Sequence, residues 1–319
     1  MSDGLIVVIG SGELGPSMKT TYRHLFGHVD AASITILDTP FGFQENADDL
    51  TARIERHFQD GFGIKPKIAS LRRTGFSRAD QERFLVDVAE SEVVFAGPGS
   101  PSYALRVWRD LDLSSALRNV VDRGGAVVMA SAAALTLGTK AIPVYEVYKV
   151  GEDPAWLDGL DFLSAFGLAV TVVPHWNNRE GGFHDTSHCF IGNRRFRDLV
   201  EQLPSTISVL GIDEHTSLSI HAGTGTMRVL GAGEVHFNET DFRDTMLAPG
   251  FVARASIARA APQPEAANAW EPVIELLIDM RAEARDRGDF LLADTIRERL
   301  AESGVELRDG PDGTSWSPK

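Results

Sequence analysis

The sequence is poor in several features that would place it in a special class. It has one cysteine, Cys189, in 319 residues, so no internal disulfide can form, and this usage predicts a reducing compartment. No apolar run is long enough to cross a bilayer, and Met1-Ser2-Asp3-Gly4 puts no basic start ahead of the first apolar stretch. The expectation is a cytoplasmic chain with no membrane partner. Basic charge is scarce: 31 Lys and Arg stand against 45 Asp and Glu, a net of −14. That argues against general nucleic-acid binding but leaves a local basic patch open. There is no internal repeat and no low-complexity tract. The apolar share of 43% and charged share of 24% are ordinary for a globular protein. The length suits one large domain with a small one beside it.

The stretch that organises the chain is Val127-Val128-Met129-Ala130-Ser131-Ala132-Ala133-Ala134-Leu135, after Gly124-Gly125. Apolar residues lead into one serine and small residues lead out. A sharp strand-to-helix turn that holds a hydroxyl at the top of a sheet reads this way. The N–H groups and dipole of the following helix would stabilise an oxyanion beside Ser131. The plain alternative makes Ser131 an N-cap.

In chain order, Leu5-Ile6-Val7-Val8-Ile9 is a short apolar run of the kind that forms a buried parallel strand. Gly10-Ser11-Gly12-Glu13-Leu14-Gly15 then fits the dinucleotide spacing G-x-G-x-x-G, and Asp38 stands where a ribose-binding acid would. Against that reading, Glu13 brings negative charge to the turn and Pro16 removes an N–H. Strands at 33–38, 67–70 and 93–96 alternate with helices at 46–58, 78–89 and 102–121; the serine strand follows, then another strand at 169–173. The expected fold is α/β, a doubly wound and mostly parallel sheet. Close-spaced strands at 207–212, 217–221, 227–230 and 234–237 predict an antiparallel extension of it. Residues 260–268, with Pro262 and Pro264, read as a linker. Residues 271–285 and 290–300 read as a helical hairpin, with a short strand at 305–307.

A serine hydroxyl needs a base, and the base needs an acid to orient it. His175 follows a strand end and is the best base. Glu214 and Glu146 compete as the acid. In the loop from Asn177 to Cys189, His184 and His188 are weak zinc candidates, with a polar loop lining the substrate mouth as the other reading. Cys189 lacks a small-residue elbow and is not read as a nucleophile.

These segments resemble the cyanophycinase and dipeptidase E family of serine peptidases, whose fold is like class I glutamine amidotransferases. The family's Gly-rich turn ending in Glu is matched by Ile9-Gly10-Ser11-Gly12-Glu13, and its Phe-x-Gly-Gly turn in part by Phe95-Ala96-Gly97-Pro98. Its nucleophile motif, Gly-x-Ser-Ala-Gly-Ala, stands here as Met129-Ala130-Ser131-Ala132-Ala133-Ala134. His175-Trp176 matches its His-aromatic pair, and Gly211 to Ser217 match Gly-Ile-Asp-Glu-x-Thr-Ala in all but the last residue. The resemblance covers roughly Leu5 to Phe237. It implies Ser131 as nucleophile, His175 as base, and Glu214 in preference to Glu146. Oxyanion donors would be Ala132 with Gly97 or Gly99. Gly12 and Glu13, in the turn after the first strand, and Asn177 and Arg179, in a loop with no counterpart in that family, are expected at the substrate mouth. Met129 and Ala133 replace the motif glycines, and Pro98 replaces another.

A second resemblance lies in the tail. Glu283-Ala284-Arg285, Asp289-Phe290, Ala293-Asp294, Ile296-Arg297 and Gly313-Thr314-Ser315-Trp316 look like the end of cysteinyl-tRNA synthetases. Residues 269–319 carry twelve acidic and seven basic residues, a net of −5, so packing or homodimerisation competes with tRNA contact. The domains expected are 1–259, a linker 260–268, and the hairpin 269–319. The function expected is hydrolysis of an amide in a small peptide, aspartyl or β-aspartyl, with no cofactor. The alternative is a non-catalytic scaffold carrying a tRNA- or protein-binding hairpin.

Overall fold

The computed structural model describes residues 4–29, 33–237, 257–259, 271–286, 290–302, 305–310 and 313–318. The chain divides into two units, Met1–Ala260 and Ala261–Lys319. The first runs β1 (Leu5–Ile9), α1 (Lys19–His28), β2 (Ile34–Leu37), α2 (Ala47–Phe62), β3 (Lys67–Ala69), α3 (Arg78–Ala89) and β4 (Val93–Ala96). It continues through α4 (Pro101–Trp108), α5 (Leu113–Asp122), β5 (Ala126–Ala130), α6 (Ala132–Thr136), β6 (Lys140–Ala141), β7 (Leu157–Asp158) and β8 (Val170–Val173). After α7 (Asn193–Glu201) come β9 (Ser208–Ile212), β10 (Thr216–His221), β11 (Met227–Gly231), β12 (Val235–Phe237) and β13 (Ile257–Arg259).

The main sheet has the order β13-β11-β10-β1-β5-β4-β2-β3. From β1 to β3 every pairing is parallel, while β10 runs antiparallel to β1 and β11 antiparallel to β10. The unbroken apolar runs of β1 and β5 are buried on both faces, as parallel strands covered by helices must be. Their period-two alternation sorts side chains into two layers. Ile6, Val8, Val127 and Met129 join one core with Val88, Trp108 and Leu117. Leu5, Val7, Ile9, Val128 and Ala130 join the other with Tyr22, Ile54 and Phe58. The sheet is therefore doubly wound, with an antiparallel extension.

Two expectations need correction. Residues 102–121 are two helices, not one. Asp112 caps the second through the Ser115 N–H at 3.4 Å, offering the backbone a local partner that competes with helix continuation. The strand at 169–173 does not join the main sheet either, because β10 occupies that edge of β1. Instead β8 pairs in parallel with β9, and β12 pairs antiparallel to β9, in a separate three-stranded sheet.

The second unit has α8 (Glu271–Asp286) and α9 (Phe290–Glu302), then a β-hairpin of β14 (Val305–Gly310) and β15 (Gly313–Pro318). Ile296, Leu300 and Leu307 form its small core. The sequence indicated a strand at 305–307 but not its partner. The linker read at 260–268 lies outside the described residues.

Candidate active site

Ser131 sits where β5 gives way to α6, with φ 51° and ψ −118°. A non-glycine residue in that conformation costs about 1–3 kcal/mol and persists only when its surroundings impose it. They do so here: the Ser131 N–H donates to Ile9 O at 3.0 Å, and the Ala133 N–H donates to Gly97 O at 3.3 Å. The hydroxyl makes no cap bond to the helix. It lies 2.8 Å from His175 Nε2 instead.

His175 follows β8 with φ 49°. Its carbonyl accepts the N–H groups of Asn178 and Cys189, both at 3.1 Å, and the Trp176 N–H donates to Ile212 O at 3.1 Å. These bonds stitch the histidine's loop to the end of β9. From the turn between β9 and β10, Glu214 Oε1 lies 2.8 Å from His175 Nδ1. The hydrogen bond from His175 is the largest influence holding the Glu214 carboxyl below its ordinary range; the Asn178 amide assists and burial opposes. Three distant segments thus form one hydrogen-bonded line. Glu146 is outside it and accepts from Ser102 Oγ at 2.8 Å.

The glycine turn has a packing explanation. A Cβ on Gly10 would lie 2.0 Å from Asp213 O, and one on Gly12 2.2 Å from His215 Nδ1. The loop that carries Glu214 therefore fills the space a pyrophosphate would need. Asp38, the would-be ribose acid, is fully buried and accepts from Ser70 Oγ at 2.8 Å and Arg72 Nε at 2.6 Å. It fastens the end of β2 to the segment after β3.

A pocket of about 280 Å³ opens beside Ser131. Its wall includes Gly99, Ala132, Tyr145, Tyr148, Lys149 and Phe190, with His175 and Glu180. The residues expected at the mouth are placed elsewhere. Gly12 packs under His215, and Glu13 is buried, with burial pushing its carboxyl up. Asn177 is turned to the backbone, its Oδ1 accepting the Glu214 N–H at 2.8 Å. Arg179 is exposed outside this wall. The aromatic wall escaped sequence reading because Tyr145 precedes and Tyr148 lies within a short π-helical turn, where neither helical nor strand periodicity applies. Gly99 lines the pocket while Gly97 does not. Ala132 opens α6, so its N–H belongs to the first turn, where no intrahelical acceptor exists.

The zinc candidates have other neighbours. His188 is buried, stacked on Phe196 at 4.3 Å between ring centroids and edge-on to Trp176 at 4.2 Å. His184 stacks on Tyr148 at 6.2 Å. Among the described residues no group of three or more His, Cys, Asp or Glu side chains could hold a metal. Cys189 is buried, which pushes its thiol well up.

An α/β sheet that presents a strained serine, an imidazole and a carboxylate at its strand ends has the layout of a serine hydrolase. Residues 6–228 match the model of peptidase family S51, and the chain belongs to that family, the family of dipeptidase E and cyanophycinase. The fold is similar to the crystal structure of a peptidase from an acI-B1 Actinobacterium, with a TM-score of 0.58 and 21% identity over 73% of this chain and 90% of that one. The C-terminal segment is similar to cysteine–tRNA ligases. It is 41% identical over 76 residues to that of Bifidobacterium longum, and 54% identical over 46 residues to that of Photorhabdus laumondii. These matches take in 24% and 14% of this chain but only 14% and 10% of the ligases.

Proposed function

We propose that Ser131, His175 and Glu214 are the catalytic triad of this peptidase and that its substrate is a peptide of two or three residues. The distance of 2.8 Å from Ser131 Oγ to His175 Nε2 carries the reading. As Oγ bonds to the scissile carbonyl carbon, its proton passes to Nε2, and the carbonyl π electrons move to oxygen. Ala132 N–H and Gly99 N–H are the donors for that oxyanion. When the tetrahedral centre collapses, the C–N bond breaks and Nε2 returns the proton to the departing nitrogen. Water then attacks the acyl ester by the same route and releases the acid. Glu214 keeps the imidazole oriented and balances its charge while it holds the extra proton.

The substrate reading rests on the wall. A pocket of about 280 Å³ is below the roughly 300–1,000 Å³ range of drug-sized ligands. Lys149 is the cation in this wall and Glu180 the anion. Together they suit a small peptide with a carboxylate, aspartyl or β-aspartyl included, and a free ammonium group. Ser131→Ala should lower turnover of a dipeptide panel on the order of 10⁴-fold or more. Activity surviving that change removes Ser131 from the chemistry. Lys149→Met should raise KM for acidic peptides and leave neutral ones alone.

The non-catalytic scaffold is not favoured once the chain is placed in a peptidase family. For the C-terminal unit, the likeness to cysteine–tRNA ligases supports a contact with tRNA or protein. A tRNA-binding titration at low salt, with and without residues 269–319, tests it, and equal binding by both forms counts against the contact.

A further inference from the structure

We infer that Asn178 is a positioning residue: its amide selects which Glu214 oxygen faces His175, and it backs the Nδ1–H tautomer that this acceptor-only carboxylate requires. The inference rests on the triad reading above. It starts from a group that has no choice of role: the backbone N–H of Glu180 can only donate. It donates to Asn178 Oδ1 at 3.2 Å. The donor end of that amide, Nδ2, is therefore the end that faces Glu214. Nδ2 donates to Glu214 Oε1 at 2.9 Å, and the same oxygen lies 2.8 Å from His175 Nδ1.

Several restraints prevent the amide from turning over. Asn178 is 2% exposed, and a buried amide left without partners would cost about 1–3 kcal/mol. Its own N–H donates to His175 O at 3.1 Å, while Asn177 Oδ1 takes the Glu214 N–H at 2.8 Å. Consecutive asparagines thus hold the acid by its backbone and by one chosen carboxylate oxygen. With that oxygen accepting from both sides, the imidazole proton belongs on Nδ1. Nε2 is then a lone pair aimed at the Ser131 hydroxyl.

A loop residue that merely packs would leave the imidazole proton indifferent to its chemistry, and this difference can be measured. Glu214→Gln introduces an amide with a donor end and an acceptor end. Asn178 Nδ2 selects the acceptor end, so the Nδ1–H tautomer survives. In Glu214→Gln with Asn178→Asp, the new carboxylate selects the donor end of the amide. That donor then faces Nδ1, and the proton moves to Nε2.

The test is 15N NMR of histidine-labelled full-length protein at neutral pH, with His175 assigned by the signal lost in His175→Gln. The expected result is Nδ1–H in Glu214→Gln and Nε2–H in the double variant. In addition, Asn178→Ala should cut kcat about 10- to 100-fold with KM within twofold. The same tautomer in both NMR variants, or kcat in Asn178→Ala within twofold of the parent, overturns the proposal. The tautomer readout needs no turnover and both of its variants are near-isosteric. A failure of the triad reading, seen as activity surviving Ser131→Ala, is therefore a separate result.

Discussion

Protonating His188 should unfasten the loop that carries His175, and the cost can be worked from its surroundings. The imidazole is 9% exposed, packed between Trp176 and Phe196, and its Nδ1 is buried with no hydrogen-bond partner among the described residues. Burial holds it down at about 4, against 6.5 for the free side chain. Between these values the unfolded chain binds a proton that the folded chain refuses. Stability therefore falls as pH drops from 6.5, and the loss is complete below about 4. A gap of that size is worth about 3 kcal/mol. His188→Phe keeps the ring stack and removes the titration. Urea unfolding at steps from pH 7 to pH 4 should show the parent losing about 3 kcal/mol more than the variant. His24 and His57 are also held below their ordinary values by burial, but both proteins retain them, so the difference isolates residue 188. The chain at His188 is bound to Trp176 O through its N–H at 2.9 Å, so hydrolysis should fall over the same window. Parallel stability curves for parent and variant would refute the reasoning.

Other consequences follow from the same geometry. Glu214→Gln should lower kcat about 10²- to 10³-fold through loss of charge beside the imidazole, while Glu146→Gln should stay within threefold in steady-state assays. Glu13 keeps its proton to higher pH when folded than when unfolded, so the folded state loses ground as pH rises. Glu13→Gln should accordingly gain on the parent in melting temperature between pH 3.5 and pH 7.5; a constant difference across that range would contradict the buried-acid account. Cys189 should resist iodoacetamide at pH 8 in the native protein and react once unfolded in urea. Labelling at comparable rates in both states would show the thiol to be accessible.

The core of the fold was legible because β1 and β5 must satisfy one simple demand, apolar residues without interruption, which only a sheet covered on both faces makes. Ser131 stood out for the same reason: a lone hydroxyl ends such a run, and small residues follow it. The partner of β14 and the second sheet were harder to see, since pairing depends on which edges are already occupied, and no local pattern records that. Asn178 was hidden by its own ordinariness. An asparagine in a polar loop reads as a turn residue, and only the fold shows it buried against Glu214.

Backbone strain ties these observations together. Ser131, His175 and His215, the residue after Glu214, have φ of 51°, 49° and 55°, and His188, Cys189 and Phe190 form a run at 54°, 59° and 69°. None is a glycine, so each departs from the favoured region at a cost of about 1–3 kcal/mol. A sequence that needed only a stable turn would place glycine at such points, as it does at Gly63 after α2, with φ 72°. Here the side chains are kept and the strain is tolerated. At Ser131 and His175 the side chains make the 2.8 Å hydrogen bond on which the proposed chemistry rests. At His215 the ring packs against Gly12 and lies 3.1 Å from Ser17 Oγ through Nδ1, which holds the acid's loop down on the first strand. At Phe190 the ring lies 5.4 Å from that of His175 and closes the pocket wall. Six of the seven non-glycine residues with positive φ among the described residues therefore gather around the Ser131–His175–Glu214 line; the seventh, Asp161 (φ 51°), lies outside it and accepts from Thr139 Oγ1 at 2.7 Å. Replacing His215 with glycine would relieve its backbone strain yet release the loop that presents Glu214, so activity should fall even if stability holds. Unchanged kcat/KM in His215→Gly would show that the strain has no part in building the site.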